Sequence, residues 1–297
     1  MTKNCLLALR PIPLARTAAA LLLSTLAILA SPARADDDDR SWQFNVALGY
    51  GQRSNPLVDG DDIDIYWLVD LAWYGERWFF DNGDIGFTIY EGEHFSLNAI
   101  GSLNSDRVFF SHLNDGFLGV QVVNQSGFTG EGQSAAEDVF SREELAALID
   151  SPDRDYAFEM GFEFLSNGNW GFLQAQFNSD VSSVHNGHEF WLTYGYDWFL
   201  GRWHAQPSIG VSWKSAEFNN YYFGVREEES IPFLLPPYRT GSGVNYSGKL
   251  ALSYLLTENW KFVMMAEREK LNDGATDSPF IFEDSITTYF AGVYYRF

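Results

Sequence analysis

Acidic side chains recur on one face of several segments in which polar and apolar residues alternate. Alternate residues of a β-strand point to opposite faces, so these carboxylates would share the face opposite the apolar side chains. The candidates for this lining are Asp64, Asp70, Glu159, Glu163, Glu189, Asp197 and Glu267, with His204 and Lys214 beside them. If this face borders a water-filled interior, it favours the passage of cations. The alternative is a plugged interior in which the carboxylates are hydrogen-bonded across strands.

Histidine and serine positions raise two chemical hypotheses, and each has a simpler interpretation. His204, Gln206 and Ser208 share one face of a segment, which fits nucleophilic chemistry or a plain polar lining. His185 and His188 lie in a loop, where they would form a metal site or stand in solvent. The chain has no G-x-S-x-G, H-E-x-x-H or phosphate-loop motif. The sequence therefore predicts a protein that is not an enzyme and that carries no metal or cofactor.

Residues 1–35 have the three parts of a secretory signal peptide. Three basic residues precede an apolar run of 14 residues (17–30), and Ala33-Arg34-Ala35 forms an A-x-A cleavage site. The run is too short for a transmembrane helix, which needs about 20 residues. The sequence predicts removal of residues 1–35 and export of a mature domain of residues 36–297.

The composition of the mature domain limits its class. Residues 1–35 hold 4 of the 19 basic residues and none of the 40 acidic ones, which leaves 15 against 40, or a net charge of −25. This balance argues against nucleic-acid binding, which needs a basic surface. Cys5 is the single cysteine and lies in the predicted leader, so no disulfide is expected.

Segments of about ten alternating residues, separated by turns, recur along the mature domain. In the last one, residues 285–297, the side chains at every second position from Phe297 back to Tyr289 are apolar. This pattern resembles the closing strand of a bacterial outer-membrane β-barrel, although an edge strand of a soluble domain is the alternative. A β-sandwich would show the same alternation. The barrel is favoured by tryptophans near strand ends and by 17% aromatic residues, which suit interfacial girdles.

The connections between segments differ in length. Tight turns at 75–77, 167–169, 200–202 and 257–259 contrast with long loops such as 124–154 and 215–243. Outer-membrane barrels have short periplasmic turns and long extracellular loops. We predict an all-β fold, an antiparallel transmembrane β-barrel of about twelve strands, with ten as the alternative.

Three local assignments belong to this prediction. Residues 78–90 are interpreted as one strand with a bulge at Asp81–Asp84, and residues 117–123 as a short strand. A short helix is predicted in a long extracellular loop, because Ser141 can cap it and Leu145, Leu148 and Ile149 form an apolar stripe. The apolar, proline-rich stretch within 215–243 would contact a partner or fold into the barrel mouth.

Several short motifs resemble the MipA/OmpV family of outer-membrane proteins. Residues 220–225 (NYYFGV, including Tyr222, Gly224 and Val225) are similar to its Y-Y-x-G-V segment. Residues 271–279 (LNDGATDSP, ending on Ser278 and Pro279) are similar to its L-x-x-x-A-x-x-S-P stretch. The terminal Tyr295-Arg296-Phe297 also matches, and Arg77-Trp78-Phe79-Phe80 is similar to R-x-F-F. The loop at 124–154 looks longer than is usual in the family.

This resemblance implies a role in the cell outer membrane of a Gram-negative bacterium and contact with its lipid. It implies a scaffold that links a lytic murein transglycosylase, a murein hydrolase, to a murein synthase at the cell wall. Other members are described as adhesins or porin-like proteins, so a small-solute, cation-preferring pore or a surface adhesin is the alternative. No catalytic residue follows from the resemblance.

Overall fold

The computed structural model describes residues 41–58, 60–104, 154–231 and 233–297. The predicted leader, the strand at 117–123 and the helix at 141–149 lie outside these ranges. Over the described residues, thirteen strand segments form one sheet. They are β1 (Ser41–Arg53), β2 (Ile63–Tyr74), β3 (Trp78–Asp81), β4 (Asp84–Glu91), β5 (Phe95–Leu103), β6 (Phe158–Gly168), β7 (Gly171–Asp180), β8 (His188–Gly195), β9 (Trp198–Leu200), β10 (Trp203–Lys214), β11 (Gly243–Leu255), β12 (Trp260–Lys270) and β13 (Ser285–Arg296).

The sheet closes on itself, and its strand pairs are antiparallel. β1 pairs with both β2 and β13, while β10 pairs with β11. β8 and β9 both pair with β10, so they are one strand interrupted at Tyr196 and Asp197. The fold is therefore a closed barrel of twelve antiparallel strands, which confirms the predicted fold class and the count of twelve.

The stretch from Trp78 to Glu91 differs from its prediction. Asn82 and Gly83 have positive φ angles of 51° and 110°, and Asp81 pairs directly with Asp84. Positive φ at both central residues is typical of a two-residue hairpin turn, for which Asn-Gly is the preferred sequence. The interpretation as one bulged strand is wrong: β3 and β4 are separate strands, and they complete the twelve without residues 117–123.

The two faces of the barrel wall differ as the alternation predicts. Ile209 and Phe162 are 67% and 56% exposed on the outer face, whereas Asn45 and Thr288 are buried on the inner face. Rings also pair near the periplasmic strand ends, such as Trp42 with Trp73 at 6.2 Å. Apolar residues outside and polar residues inside are the reverse of a soluble sandwich and suit a wall that faces lipid.

The loops after β10 and β12 contain two short α-helices, and Glu227–Glu229 forms a 3-10 turn in the first of them. α1 (Ala216–Tyr222) begins at Ser215, whose side chain accepts a bond from the Phe218 amide. α2 (Asp273–Thr276) begins at Asn272, whose side chain accepts a bond from the Ala275 amide at 3.1 Å. Each cap satisfies an amide that the first helical turn leaves without a partner. No helix in the part of the chain that the structure describes is long and apolar enough to cross a membrane.

The loop segments 54–58, 215–231, 233–242 and 271–284 pack into one unit, which we call the extracellular cap. Its buried apolar core includes Leu57, Phe218, Tyr222 and Phe280. Leu57 forms an isolated β-bridge with Ile281, which joins the loop after β1 to the loop before β13. Within the apolar stretch of 215–243, Leu235 is buried in this core and Leu234 and Tyr238 pack against it, whereas Phe233 is fully exposed. The stretch thus folds in part against the barrel mouth, and its contact with a partner stays a prediction.

Candidate functional site: the lumen and its extracellular cap

Asp70 and Glu163 lie on the inner wall, each among neutral donors. Asp70 accepts bonds from the Asn45 and Asn82 amides at 2.9 and 3.2 Å, and from the Tyr294 hydroxyl at 3.2 Å. Because amides and hydroxyls carry no formal charge, they stabilise the carboxylate without neutralising its charge.

Glu163 shows the same arrangement on β6. The Asn98 and Gln174 amides donate to its two carboxylate oxygens at 2.9 and 2.8 Å. The inner wall from β2 to β6 therefore carries negative charge held by a network of neutral hydrogen bonds.

A buried polar cluster lies where the wall meets the cap. His185 Nε2 is 2.9 Å from the Glu159 carboxylate, and both side chains are buried. The Gly187 amide donates to His185 Nδ1 at 3.0 Å. Nδ1 is thus an acceptor, so Nε2 carries the proton and donates to Glu159. Asn104 bridges Glu159 to Glu189, at 3.1 and 3.2 Å.

Lys214 connects this cluster to α1. It is buried, and its position on β10 is directly opposite Glu189 on β8. Its ammonium group lies 4.6 Å from the centre of the Phe218 ring. Phe218 also contacts His185 edge to face at 4.9 Å. Phe218 therefore packs the cap against Lys214 and His185, and the Tyr222 ring also lies 5.8 Å from the His185 ring.

Glu267 and Glu269 occupy the inner face of β12 and are both buried. Lys249 lies 3.4 Å from Glu267, and Asn245 donates to Glu269 at 2.7 Å. A cavity of about 10 Å³ next to Glu269 has room for about one water molecule. Side chains therefore fill most of the space immediately next to Glu269.

Asp197 and His204 lie near the periplasmic end of the lumen. His204 Nε2 is 2.6 Å from Asp197, and Gln206 donates to the same carboxylate oxygen at 2.9 Å. Ser208 is four residues from His204 along one strand, or about 13 Å at 3.3 Å per residue. The nucleophilic arrangement is therefore not formed.

The placement of Asp64 in the lumen is wrong. The register of β1 and β2 shifts between Leu48 and Gly51, so the end of β2 changes face. Asp64 accepts bonds from the hydroxyls of Tyr50 and Tyr66, which are 49% and 58% exposed on the outer surface.

The two loop histidines do not face each other. His185 is buried against Glu159, whereas His188 is exposed and bonds the Ser179 hydroxyl at 3.0 Å. Over the described ranges, no group of three or more histidine, cysteine or acidic residues could hold a metal ion.

The family-like motifs meet in the cap. Tyr222 and Val225 belong to its core, and the Ser278 hydroxyl donates to the Phe223 carbonyl at 2.5 Å. Pro279 follows Ser278 directly. Tyr295 and Phe297 lie instead near the periplasmic ends of the strands, where their rings contact each other at 4.7 Å.

Arg154, just before β6, anchors the cap, and no sequence pattern predicts this role. It is 1% exposed, donates to both oxygens of Glu229 at 2.5 and 3.2 Å, and reaches the Gly224 carbonyl. Its partner is 75 residues away, so no local pattern identifies the pair.

The Arg154–Glu229 pair predicts that the cap loosens in acid. Burial raises the pKa of Glu229, but bonds from Arg154 and the Arg226 amide outweigh it, so the pKa is below its usual 4.5. A depressed pKa gives stability that is complete above pH 4.5 and is lost as pH falls through the folded-state value. Hydrogen exchange at the paired amides of Val225 and Tyr238, corrected for intrinsic rates, should accelerate in that range. In Glu229→Gln the acid-dependent acceleration should disappear; if it persists unchanged, another group controls the cap.

Comparison with known proteins places the chain in a family. The sequence profile described as MltA-interacting protein MipA matches residues 45–297. Outer membrane protein Omp26La of Vibrio anguillarum is 23% identical over 225 residues, which cover 72% of this chain and 80% of that protein. The MltA-interacting protein of Escherichia coli (strain K12) is 27% identical over 145 residues, which cover 49% of this chain and 58% of that protein.

Among solved structures, the chain is similar to the NanC porin, with 9% identity, a TM-score of 0.38, and coverage of 86% of this chain and all of that one. The family match spans most of the chain, and its relatives are named as outer-membrane proteins. The chain is thus an outer-membrane β-barrel of a Gram-negative bacterium, and it belongs to the MltA-interacting protein MipA family.

Proposed function

We propose that this barrel is a scaffold that holds a lytic murein transglycosylase, together with a murein synthase, at the periplasmic face of the outer membrane. The name of the Escherichia coli relative supports this proposal, since it describes a protein that interacts with MltA. The matched segment covers 58% of that relative, so an interaction with the same partner is a proposal for this chain.

The observation that carries the proposal is an apolar patch on the periplasmic turns, formed by Phe199, Leu200, Leu255 and Leu256. Phe199 and Leu200 are 75% and 79% exposed, and the Leu255 amide donates to the Arg202 carbonyl of the neighbouring turn at 2.9 Å. Adjacent strand residues face opposite sides, so exposure of both indicates that this hairpin projects beyond the wall. Contiguous exposed apolar groups mark interaction sites.

The test is crosslinking in cells that carry a tagged copy, followed by identification of the proteins that co-purify. We expect a lytic transglycosylase or a murein synthase, and about tenfold lower recovery with Phe199→Ser/Leu200→Ser, since the loss of 1.4 kcal/mol lowers affinity tenfold. Phe233→Ser is the matched control, because Phe233 is fully exposed in the extracellular cap. Equal recovery from the double variant would contradict the scaffold.

The second candidate is a small-solute pore that prefers cations. The acidic wall around Asp70 and Glu163 favours it, because the side chains that donate to both carboxyl groups in the bonds given above are neutral. If the crosslinked material holds only lipid and barrel-assembly proteins, reversal potentials in a KCl gradient decide the matter. Cation preference supports the pore, and anion preference eliminates it.

A further inference from the structure

The outer surface of the barrel carries a group of tyrosines near its extracellular rim. Tyr50 and Tyr66 donate their hydroxyls to the two oxygens of Asp64 at 3.3 and 3.0 Å, and their ring centres are 5.9 Å apart. Tyr289, 41% exposed, lies 6.5 Å from Tyr50 and donates to Gln52 at 3.2 Å. Aromatic faces and an acceptor carboxylate are thus held together on the side that faces lipid.

Two bases continue this surface along β12. Glu267 and Glu269 point inward, so alternation places Arg268 on the outer face between them. Arg268 pairs in register with Thr287, two residues from Tyr289, which is a diagonal step of about 7–8 Å. Lys270, the last residue of β12, is 64% exposed. We call Tyr50, Asp64, Tyr66, Arg268, Lys270 and Tyr289 the outer rim patch.

A notch borders the patch beside Arg268. Gly248 on β11 is directly opposite Arg268, and nothing lies within 4 Å of the position that a Cβ atom would occupy there. The outward-facing residues on either side of it, Tyr246 and Leu250, are 62% and 43% exposed. The wall is therefore open over Arg268, with side chains raised above and below.

We propose that the outer rim patch binds the phosphorylated sugar headgroup of a glycolipid in the outer leaflet. Arg268, reached through the notch, and Lys270 would bind phosphate, for which Arg offers paired donors. The tyrosine rings would pack on sugar faces, and Asp64 would accept sugar hydroxyls. Tyr50 lies three residues before the end of β1, and Asp64 is the second residue of β2. Both positions are near the extracellular strand ends, which lie at the level of the lipid headgroups in a strand that crosses the bilayer.

Local partners leave both bases able to bind an anion. Arg268 donates one hydrogen bond to the Ser285 hydroxyl at 3.3 Å, and a guanidinium group has five N–H donors in all. Asp284 is 3.9 Å from Lys270, which is a loose pair at an exposed site. A free phosphate ion would meet the carboxylates of Asp64 and Asp284 nearby, whereas a phosphorylated sugar brings hydroxyl donors for them.

The experiment uses the refolded full chain in phosphatidylcholine vesicles with increasing lipopolysaccharide, in the presence of EDTA to remove bridging cations. Heat resistance of the folded band on gels reports binding. We expect lipopolysaccharide to raise the melting temperature, and Arg268→Ala/Lys270→Ala to need about tenfold more of it or to show no rise. The control Arg77→Ala/Arg202→Ala removes two cations from periplasmic turns and should behave as wild type.

Gly248→Leu keeps both charges but fills the notch, so it should weaken the response without lowering stability in plain vesicles. An undiminished response in both the charge-loss variant and Gly248→Leu would overturn the proposal. Adding inorganic phosphate to plain vesicles separates the sources: an equal rise in melting temperature would mean that the patch takes a free anion and not the glycolipid.

Discussion

Gly49→Leu is expected to abolish the folded barrel. Gly49 faces Gly292 where β1 meets β13, the pair that closes the sheet. A Cβ atom at Gly49 would lie 2.5 Å from Gly292 Cα and closer still to the Ala291 carbonyl oxygen. These are backbone atoms, so relief requires the two strands to separate. An unpaired strand edge in hydrocarbon leaves amide and carbonyl groups without partners, at several kcal/mol for each group.

The measurement is the yield of heat-resistant folded species after refolding into detergent or vesicles. Gly248→Leu is the matched control, because it places the same side chain on a strand glycine with open space around it. We expect wild-type yield from the control and no folded band from Gly49→Leu. A normal yield from Gly49→Leu would show that the closing strands can slide apart without opening the sheet.

His185→Leu is expected to lower the free energy of unfolding by about 2 to 4 kcal/mol. The imidazole donates to Glu159 at 2.9 Å inside a site where both side chains are buried. Leucine removes that donor and leaves the carboxylate with less stabilisation where water has little access. It also removes the acceptor of the Gly187 amide and the edge-to-face contact with Phe218, so the packing of the cap on the barrel weakens as well.

Equilibrium unfolding in urea, followed by tryptophan fluorescence, measures this effect. His188→Leu is the control, since His188 lies three residues away, is exposed and bonds a serine hydroxyl. Its change should stay within about 0.5 kcal/mol. Equal effects from the two variants would show that the Glu159–His185 pair contributes nothing specific.

Alternation and turn length were enough to predict the barrel, because both follow directly from a wall with lipid on one side. They failed where the backbone departs from regular pleating. Asp64 and Asp70 are an even number of residues apart, which predicts a shared face, but the register shift opposite Tyr66 puts Asp64 outside. The bulge predicted at Asn82-Gly83 is a hairpin turn instead, and the pattern does not reveal it because β3, with only four residues, shows too little alternation.

The lumen charges could be predicted as a set, but their partners could not. Glu163 accepts from Asn98 and Gln174, and only the strand register brings these amides together. The cap was less predictable still. Its motif residues were recognised by resemblance, whereas the ion pair of Arg154 depends on residues that no local pattern connects.

The cap also bears on the order in which the chain acquires its structure. The Phe280 carbonyl accepts from the Val58 amide at 2.8 Å, and the Phe282 amide donates to the Pro56 carbonyl at the same distance. These contacts join residues more than 220 positions apart, and loops of that length close slowly. They lie beside the seam at which β1 and β13 pair. We therefore expect the cap to form late in folding, together with or after the pairing of β1 and β13, and to open early when the barrel unfolds from its extracellular side.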